Sequence, residues 1–428
     1  MAKVMKVKSE PFVRVVKRDN SSFLFRTIIR TVTIVMAFLL SLIFLQGVSG
    51  IPMGKIIKYM FDASTITKSS KILFWREAML LLAVAIALTP AFKMKFWNIG
   101  GQGQILMGGL MTGVIMYYGT SMPSGLVILC SFVCSILVGA IWALIPAIFK
   151  VKIGANETLF TLMLNYIAIQ IVEMCVDIWK GKSSALAPFN SGTKIGWLPK
   201  IGSNQYGLVI LTVIALTIIM FIYLKYSKHG YEISVVGESL NTAKYAGMNT
   251  SWVILRTVGL SGALCGLVGF FYVAGVNHVI ASNTSGSYGF TAIVVSWAAG
   301  FNPFGMFVIA ILMTFLSLGT GNVVNYASQV LNGYTSYITV GILLFFLIGC
   351  EFFINYRMVY SNSARSKAPG WFKFWDNAVI KIDEASDKMG AWFKKQMSNV
   401  KAKIVKDKKT STPVEDITNE DVSNKEVK

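Results

Sequence analysis

The sequence predicts an all-α fold, a polytopic transmembrane helical bundle of about ten spans with broken helices. Three observations carry this prediction. The 428 residues are 54% hydrophobic and only 14% charged, where a soluble domain carries about 25% charge. The mean hydropathy is +0.60. The apolar residues also gather into runs that can cross a bilayer core, which takes about 20 helical residues. Composition alone therefore excludes an ordinary water-soluble enzyme. Forty Lys and Arg against twenty Asp and Glu leave a net charge of +20. In so apolar a chain that excess belongs beside a lipid bilayer, and nucleic acid is not expected as a partner.

Taken in order, the clearest spans are 27–48, 125–149, 159–179, 207–224, 253–275 and 336–353. The run 78–97 is nearly as apolar but carries Pro90, Lys93 and Lys95, and 102–118 is short and glycine-rich. Residues 289–318 are too long for one span; Gly300, Asn302, Pro303 and Gly305 divide them into two short ones. Residues 1–30 hold eight Lys or Arg and two acids, which places the N-terminus in the cytoplasm, and about ten spans return the C-terminus there. The outside loops 49–77 and 180–206 carry several lysines and run against that rule. The organisation is a basic cytoplasmic segment at 1–26, a membrane domain at 27–355, and a charged cytoplasmic tail at 356–428. Within that tail the region 371–393 fits an amphipathic helix on anionic lipid.

Two breaks point to function, because backbone amides without partners cost several kcal/mol in lipid and are tolerated only inside protein or beside water. One is NIGGQGQ (98–104). The other lies within GFTAIVVSWAAGFNPFG (289–305). Paired discontinuous helices of this kind mark binding sites and pathways in transporters. Asn98, Gln102, Gln104, Asn165, Ser296 and Asn302 are candidates to hydrogen-bond a polar solute, and Phe290 and Trp297 to stack on its ring or sugar face. Gly259, Gly262, Gly266 and Gly269 form a helical stripe that lets a neighbouring helix approach closely. Glu173 and Asp177 share one face near the outer end of their span, Glu77 begins the second span and Glu351 ends the last. None of the four is at mid-bilayer, which argues against an ion-coupled carrier. There is no phosphate-binding loop, so ATP would have to be hydrolysed on another chain. His229 and His278 stand alone, and the five cysteines lack metal-ligand spacing.

The interior segment 229–252 contains a short helix expected at 238–246, with Leu240, Ala243 and Ala246 as an apolar stripe and Gly247 ending it in the left-handed conformation. Its run GYEISVVGESLNTAKYAGMN resembles the coupling segment of ABC importer permeases of the branched-chain amino acid, ribose and nucleoside group. FWNIGGQGQILMGG (96–109), KIGANETLFTLMLNYIA (152–168) and YGFTAIVVSWAAGFNPFGM (288–306) follow in the same order as in that group. The likeness covers about 30–355 and is greatest to the simple-sugar and nucleoside branch.

This resemblance implies an inverted repeat, spans two to five against spans seven to ten. It further implies a second permease subunit, expected to be a different chain, and a separate ABC ATPase that binds the ATP. A substrate-binding protein would wait outside the plasma (inner) membrane of a prokaryote. No cofactor is expected in this chain. Glu238, Leu240, Ala243, Ala246 and Gly247 would form the element that couples to the ATPase, and the two breaks would flank the path. The family commonly has an acid where this chain has Gln102, a neutral amide that still donates and accepts hydrogen bonds. The expected function is the permease subunit of an ATP-driven importer for nucleosides. The alternatives are simple sugars as substrate, or an ion-coupled secondary transporter.

Overall fold

The computed structural model describes residues 13–18, 23–202, 204–286, 288–327, 331–360 and 388; the expected amphipathic segment at 371–393 lies almost wholly outside them. The chain divides into two compact units, 34–348 and the combination of 1–33 with 349–428.

The helices are α1 (Phe23–Ser49), α2 (Met53–Thr65), α3 (Lys68–Lys93), α4 (Gly101–Tyr118), α5 (Ser124–Ile153), α6 (Glu157–Lys180), α7 (Gly207–Tyr226), α8 (Lys228–Glu238), α9 (Leu240–Tyr245), α10 (Thr250–Phe270), α11 (Tyr288–Ala298), α12 (Pro303–Tyr326) and α13 (Tyr334–Asn355). A π-helical segment, Phe271–Asn277, continues α10. Eight of these are long and apolar enough to cross a membrane: α1, α3, α5, α6, α7, α10 with its extension, α12 and α13. With the shorter α4 and α11 they account for the expected segments.

Three elements differ from expectation. The 289–318 region gives one short helix and one long one, not two short ones, because nothing after Pro303 stops α12 before Tyr326. Helix α2 was hidden in a loop; it is amphipathic, burying Ile56, Met60 and Ser64 at four-residue spacing. A pair of short strands, β1 (Val13–Lys17) and β2 (Tyr356–Tyr360), runs antiparallel, with Lys17 opposite Tyr356. In that smaller unit Arg30 forms an ion pair with Glu351 at 2.7 Å, and Arg18 lies over the Phe25 ring.

Helix α3 is the axis of the larger unit. Every residue from Ala78 to Phe92 is buried, against α10, α11, α12, α7 and α2. Helix α3 packs on α11 and α12, and α10 packs on α4 and α5. That exchange of partners is what two repeats, α3–α6 and α10–α13, would produce.

Pro90 lies inside α3 and removes one helical hydrogen bond. Hydroxyl groups gather around it: Ser296 and Thr89 donate to the Ala85 carbonyl at 2.9 and 2.7 Å, and Ser261 donates to Ala87 at 2.8 Å. The glycine stripe of α10 meets backbone, as its spacing predicts. An added methyl would collide with Gly139 O and the Ala143 methyl at Gly262, with Ser135 O at Gly266, and with Ile105 O at Gly269. Gly259 faces only the Leu144 side chain, 3.4 Å away.

Candidate functional site

The first break is a built structure. Helix α3 ends with Lys95 in the left-handed region (φ 59), and the Phe96 N–H reaches back to the Ala91 carbonyl at 3.0 Å. The chain then turns through Asn98 to Gly100 before α4 begins. Asn98 Nδ2 donates to Gln104 Oε1 at 3.2 Å, and Gln104 Nε2 donates to Asn98 Oδ1 at 3.0 Å. Asn98 Oδ1 also accepts from Gly100 N at 3.1 Å. From α6, Asn165 Oδ1 accepts from Gly103 N at 2.8 Å while its Nδ2 donates to the Ile99 carbonyl at 2.9 Å. These three carboxamides are buried and satisfy the irregular backbone from within the protein.

Gln102 is different. It is half-buried, and no hydrogen bond engages its side chain among the described residues. A methyl on Gly289 would lie 2.9 Å from the Gln102 Cβ, so the start of α11 runs hard against the first turn of α4. At the other end of α11, Trp297 meets Trp97 edge to face with ring centroids 4.9 Å apart. Helix α11 thus lies along the break, with Phe290 (46% exposed) and Trp297 (36%) reaching the surface. Ser296, by contrast, is buried and engaged with α3.

The second break is a capped stop and restart. Gly300 has φ 59, Phe301 N–H donates to the Ser296 carbonyl at 2.9 Å and Gly300 N–H to Trp297 at 2.8 Å. Exposed Asn302 then caps α12, accepting from Phe304 N at 3.1 Å, with Pro303 at the first helical position.

The interior segment corrects the expected helix at 238–246. Glu238 closes α8, and Ser239 caps the separate α9 by accepting from Thr242 N at 3.2 Å. An N-cap residue needs extended backbone, and Ser239 has φ −155, so one continuous helix cannot form. Gly247 does stop α9 in the left-handed region (φ 75), with Met248 N–H to Ala243 O and Gly247 N–H to Lys244 O, both 3.0 Å. Ala243 is buried while Leu240, Ala246, Gly247 and Glu238 are exposed, so the three-residue spacing does not make one buried stripe. Tyr245 is 93% exposed. Helix α8 is anchored by the Arg256–Glu232 ion pair at 2.8 Å and by Gly237, which abuts the Lys93 carbonyl.

Sequence reasoning noted Glu77 but missed the cluster around it. Arg76 forms an ion pair with Glu77 and donates from Nη1 to the Tyr206 hydroxyl at 3.2 Å; the Tyr288 hydroxyl donates to Glu77 Oε2 at 2.7 Å. Helices α3 and α11 and the start of α7 are joined through one carboxylate–guanidinium pair. The adjacent opposite charges Arg76 and Glu77 at the head of an apolar span were the available signal. Glu173 and Asp177 lie on one exposed face of α6 beside an open cavity of about 510 Å³, which Gln170, Met174 and Ile178 also line.

A family model described as branched-chain amino acid transport system / permease component matches residues 69–348. The chain belongs to this family. The permease is 27% identical over 258 residues to the nucleoside ABC transporter permease protein of Lactococcus lactis subsp. cremoris, covering 57% of this chain and 70% of the relative. It is 26% identical over 296 residues to a glucose ABC transporter permease protein of Haloferax volcanii, 66% of this chain and 77% of that one. A guanosine ABC transporter permease protein of Bacillus subtilis is 25% identical over 245 residues, 55% and 69% respectively. No solved structure matches the permease. It is a multi-pass membrane transport subunit, and the ion-coupled carrier gives way to an ABC permease.

Proposed function

We propose that the permease imports nucleosides as the membrane subunit of an ATP-driven ABC importer. The similarity to permeases named for nucleoside and guanosine is the observation that carries the substrate; the glucose relative keeps a simple sugar as the second reading. Gln102, Phe290, Trp297 and Asn302 line the path, their polar atoms or rings reaching the surface along the break. Asn98, Gln104 and Asn165 stand behind them and hold the irregular backbone in shape, while Ser296 ties α11 to α3 through the Ala85 carbonyl.

A separate ATPase binds and hydrolyses ATP, so this chain carries no cofactor. It docks at the end of the bundle bearing Glu238, Leu240, Ala243, Ala246 and Gly247, and that end faces the cytoplasm together with both termini. The exposed Tyr245 and Leu240 suit insertion into a groove on the ATPase. The carboxylates of α6 would be costly against lipid, and a second, non-identical permease across a wet path gives that face a polar surrounding. A substrate-binding protein supplies the solute from outside.

Uptake of labelled nucleoside tests this reading. Cells lacking their own carriers receive the permease with its neighbouring permease, binding protein and ATPase, the last in active or hydrolysis-dead form. Uptake that needs the active ATPase is expected. Equal uptake with the dead ATPase overturns ATP coupling, and uptake of sugar in place of nucleoside overturns the substrate.

A further inference from the structure

Helix α11 is fastened to α3 by two hydrogen bonds that span the same 211 positions. The Tyr288 hydroxyl donates to Glu77 Oε2 at 2.7 Å, and the Ser296 hydroxyl donates to the Ala85 carbonyl at 2.9 Å. The rest of its buried face is small, with Gly289, Ala292, Val295 and Ala298. Left-handed backbone bounds the helix on both sides, at Gly286 (φ 51) before it and at Gly300 and Phe301 (both φ 59) after it. Few elements of the larger unit are so short and so sharply delimited. Such a segment can move as a body about its ends once its fastenings open.

The two oxygens of Glu77 have different kinds of partner. Oε1 accepts from Arg76 on the same helix, from Nε at 3.0 Å and also from Nη2, and that partner travels with α3. Oε2 accepts from α11, so a departure of α11 would leave it buried without a donor, which is costly for a charged group. The same cluster holds a spare donor. Tyr272, on the π-helical segment, is 4% exposed, and its hydroxyl has no hydrogen-bond partner among the described residues. The charges of Glu77 and Arg76 both act on it. A buried tyrosine hydroxyl normally finds a partner, and π-helical turns recur at functional sites.

We propose that Glu77 exchanges partners during transport, accepting from Tyr288 while α11 rests on α3 and from Tyr272 when α11 swings away. This rests on the importer reading. It makes Glu77, Tyr272 and Tyr288 positioning residues for the path: α11 carries Phe290 and Trp297, and its Gly289 abuts Gln102. Because the carboxylate keeps a donor in both positions, neither strands a buried charge. The two arrangements then stay close enough in free energy for events on partner chains to bias them.

Tyr272→Phe is the discriminating variant, because it removes a hydroxyl that holds nothing in this structure, and a packing role predicts no effect. In the complete complex its melting midpoint should stay in place. ATPase-dependent nucleoside uptake should fall about ten-fold, the worth of one hydrogen bond to a charged group, while ATP hydrolysis continues. Uptake equal to wild type overturns the exchange. So does a lowered midpoint, which would show the hydroxyl already bonded. Hydrogen exchange of the resting complex supplies a second readout. Tyr288→Phe should speed exchange of the 288–298 amides about ten-fold, and Tyr272→Phe should leave it unchanged; no acceleration in Tyr288→Phe overturns the proposal. If wild type itself shows no ATPase-dependent uptake, the importer reading falls and the exchange with it. If wild type transports and Tyr272→Phe matches it, the exchange alone falls.

Discussion

Asn98 and Gln104 hold each other head to tail through two amide hydrogen bonds at 3.2 and 3.0 Å, both side chains essentially without solvent exposure. Two carboxamides that look from the sequence like solute contacts are thus occupied with one another. Gln102, two residues from Gln104, is the amide left over. This separates roles along one seven-residue stretch. Gln104→Leu strands a buried amide and should cost about 1–3 kcal/mol of stability, read as a lower melting midpoint of the purified complex. Gln102→Leu should leave the midpoint in place and lower nucleoside uptake several-fold. The reverse pattern would remove Gln102 from the path.

The α10 stripe makes a sharper comparison. Gly266→Ala drives a methyl into the Ser135 carbonyl, whereas Gly259→Ala meets only a Leu144 side chain at 3.4 Å. The first should lose about 2–3 kcal/mol or fail to assemble, and the second should change little, since overpacking against fixed backbone is what costs. Yield of folded protein by size-exclusion chromatography reads both.

Gly247 has open space around it but a φ of 75°. Gly247→Ala should therefore strain only the backbone, by about 1 kcal/mol, and disturb the end of α9. The expected signature is ATP hydrolysis that continues while uptake falls. Coupled loss of both would place the defect in assembly.

Glu77 answers to Arg76 and Tyr288 together. Tyr288→Phe removes one hydrogen bond to a charged group and should cost about 1.5–3 kcal/mol. Glu77→Ala leaves the guanidinium unpaired and should cost more, about 3–5 kcal/mol. Melting midpoints of the two variants should rank in that order.

His278 stacks on Trp197 with ring centroids 3.6 Å apart. Burial pulls its pKa down from 6.5 to about 4, against an opposing pull from the Val273 and Ala274 carbonyls. Between those two values the unfolded chain binds more protons than the folded one, so stability falls as the pH drops through that window and levels off below it. The melting midpoint of wild type should decline more from pH 7 to pH 5 than that of His278→Phe. Equal declines would show that the ring titrates normally.

The spans were legible because hydropathy and length suffice to place a helix in lipid, and the break residues because glycine, proline and asparagine have few other uses there. Gly247 and the α10 glycines were legible for the same reason. Helix α2 was not, since its apolar residues recur every four positions among lysines and leave no continuous run. The split between α8 and α9 hung on Ser239 adopting extended backbone, which a serine inside a helical pattern does not announce. The division of labour among Asn98, Gln102, Gln104 and Asn165 depends on which backbone groups the breaks leave open, and that is settled only by how α6 packs against α4. Tyr288 reaches Glu77 across 211 positions, a distance over which sequence spacing says nothing.

Helix α3 has a consequence for how its sequence can change. A helix surrounded by protein from Ala78 to Phe92 has no face on which lipid can absorb a larger side chain. Replacing Ala83 by Leu would improve its score as a membrane span and still wedge it apart from its neighbours. For this helix the bilayer sets no limit that matters; the sizes of the surrounding side chains set all of them, and tolerance should follow volume where hydropathy predicts none.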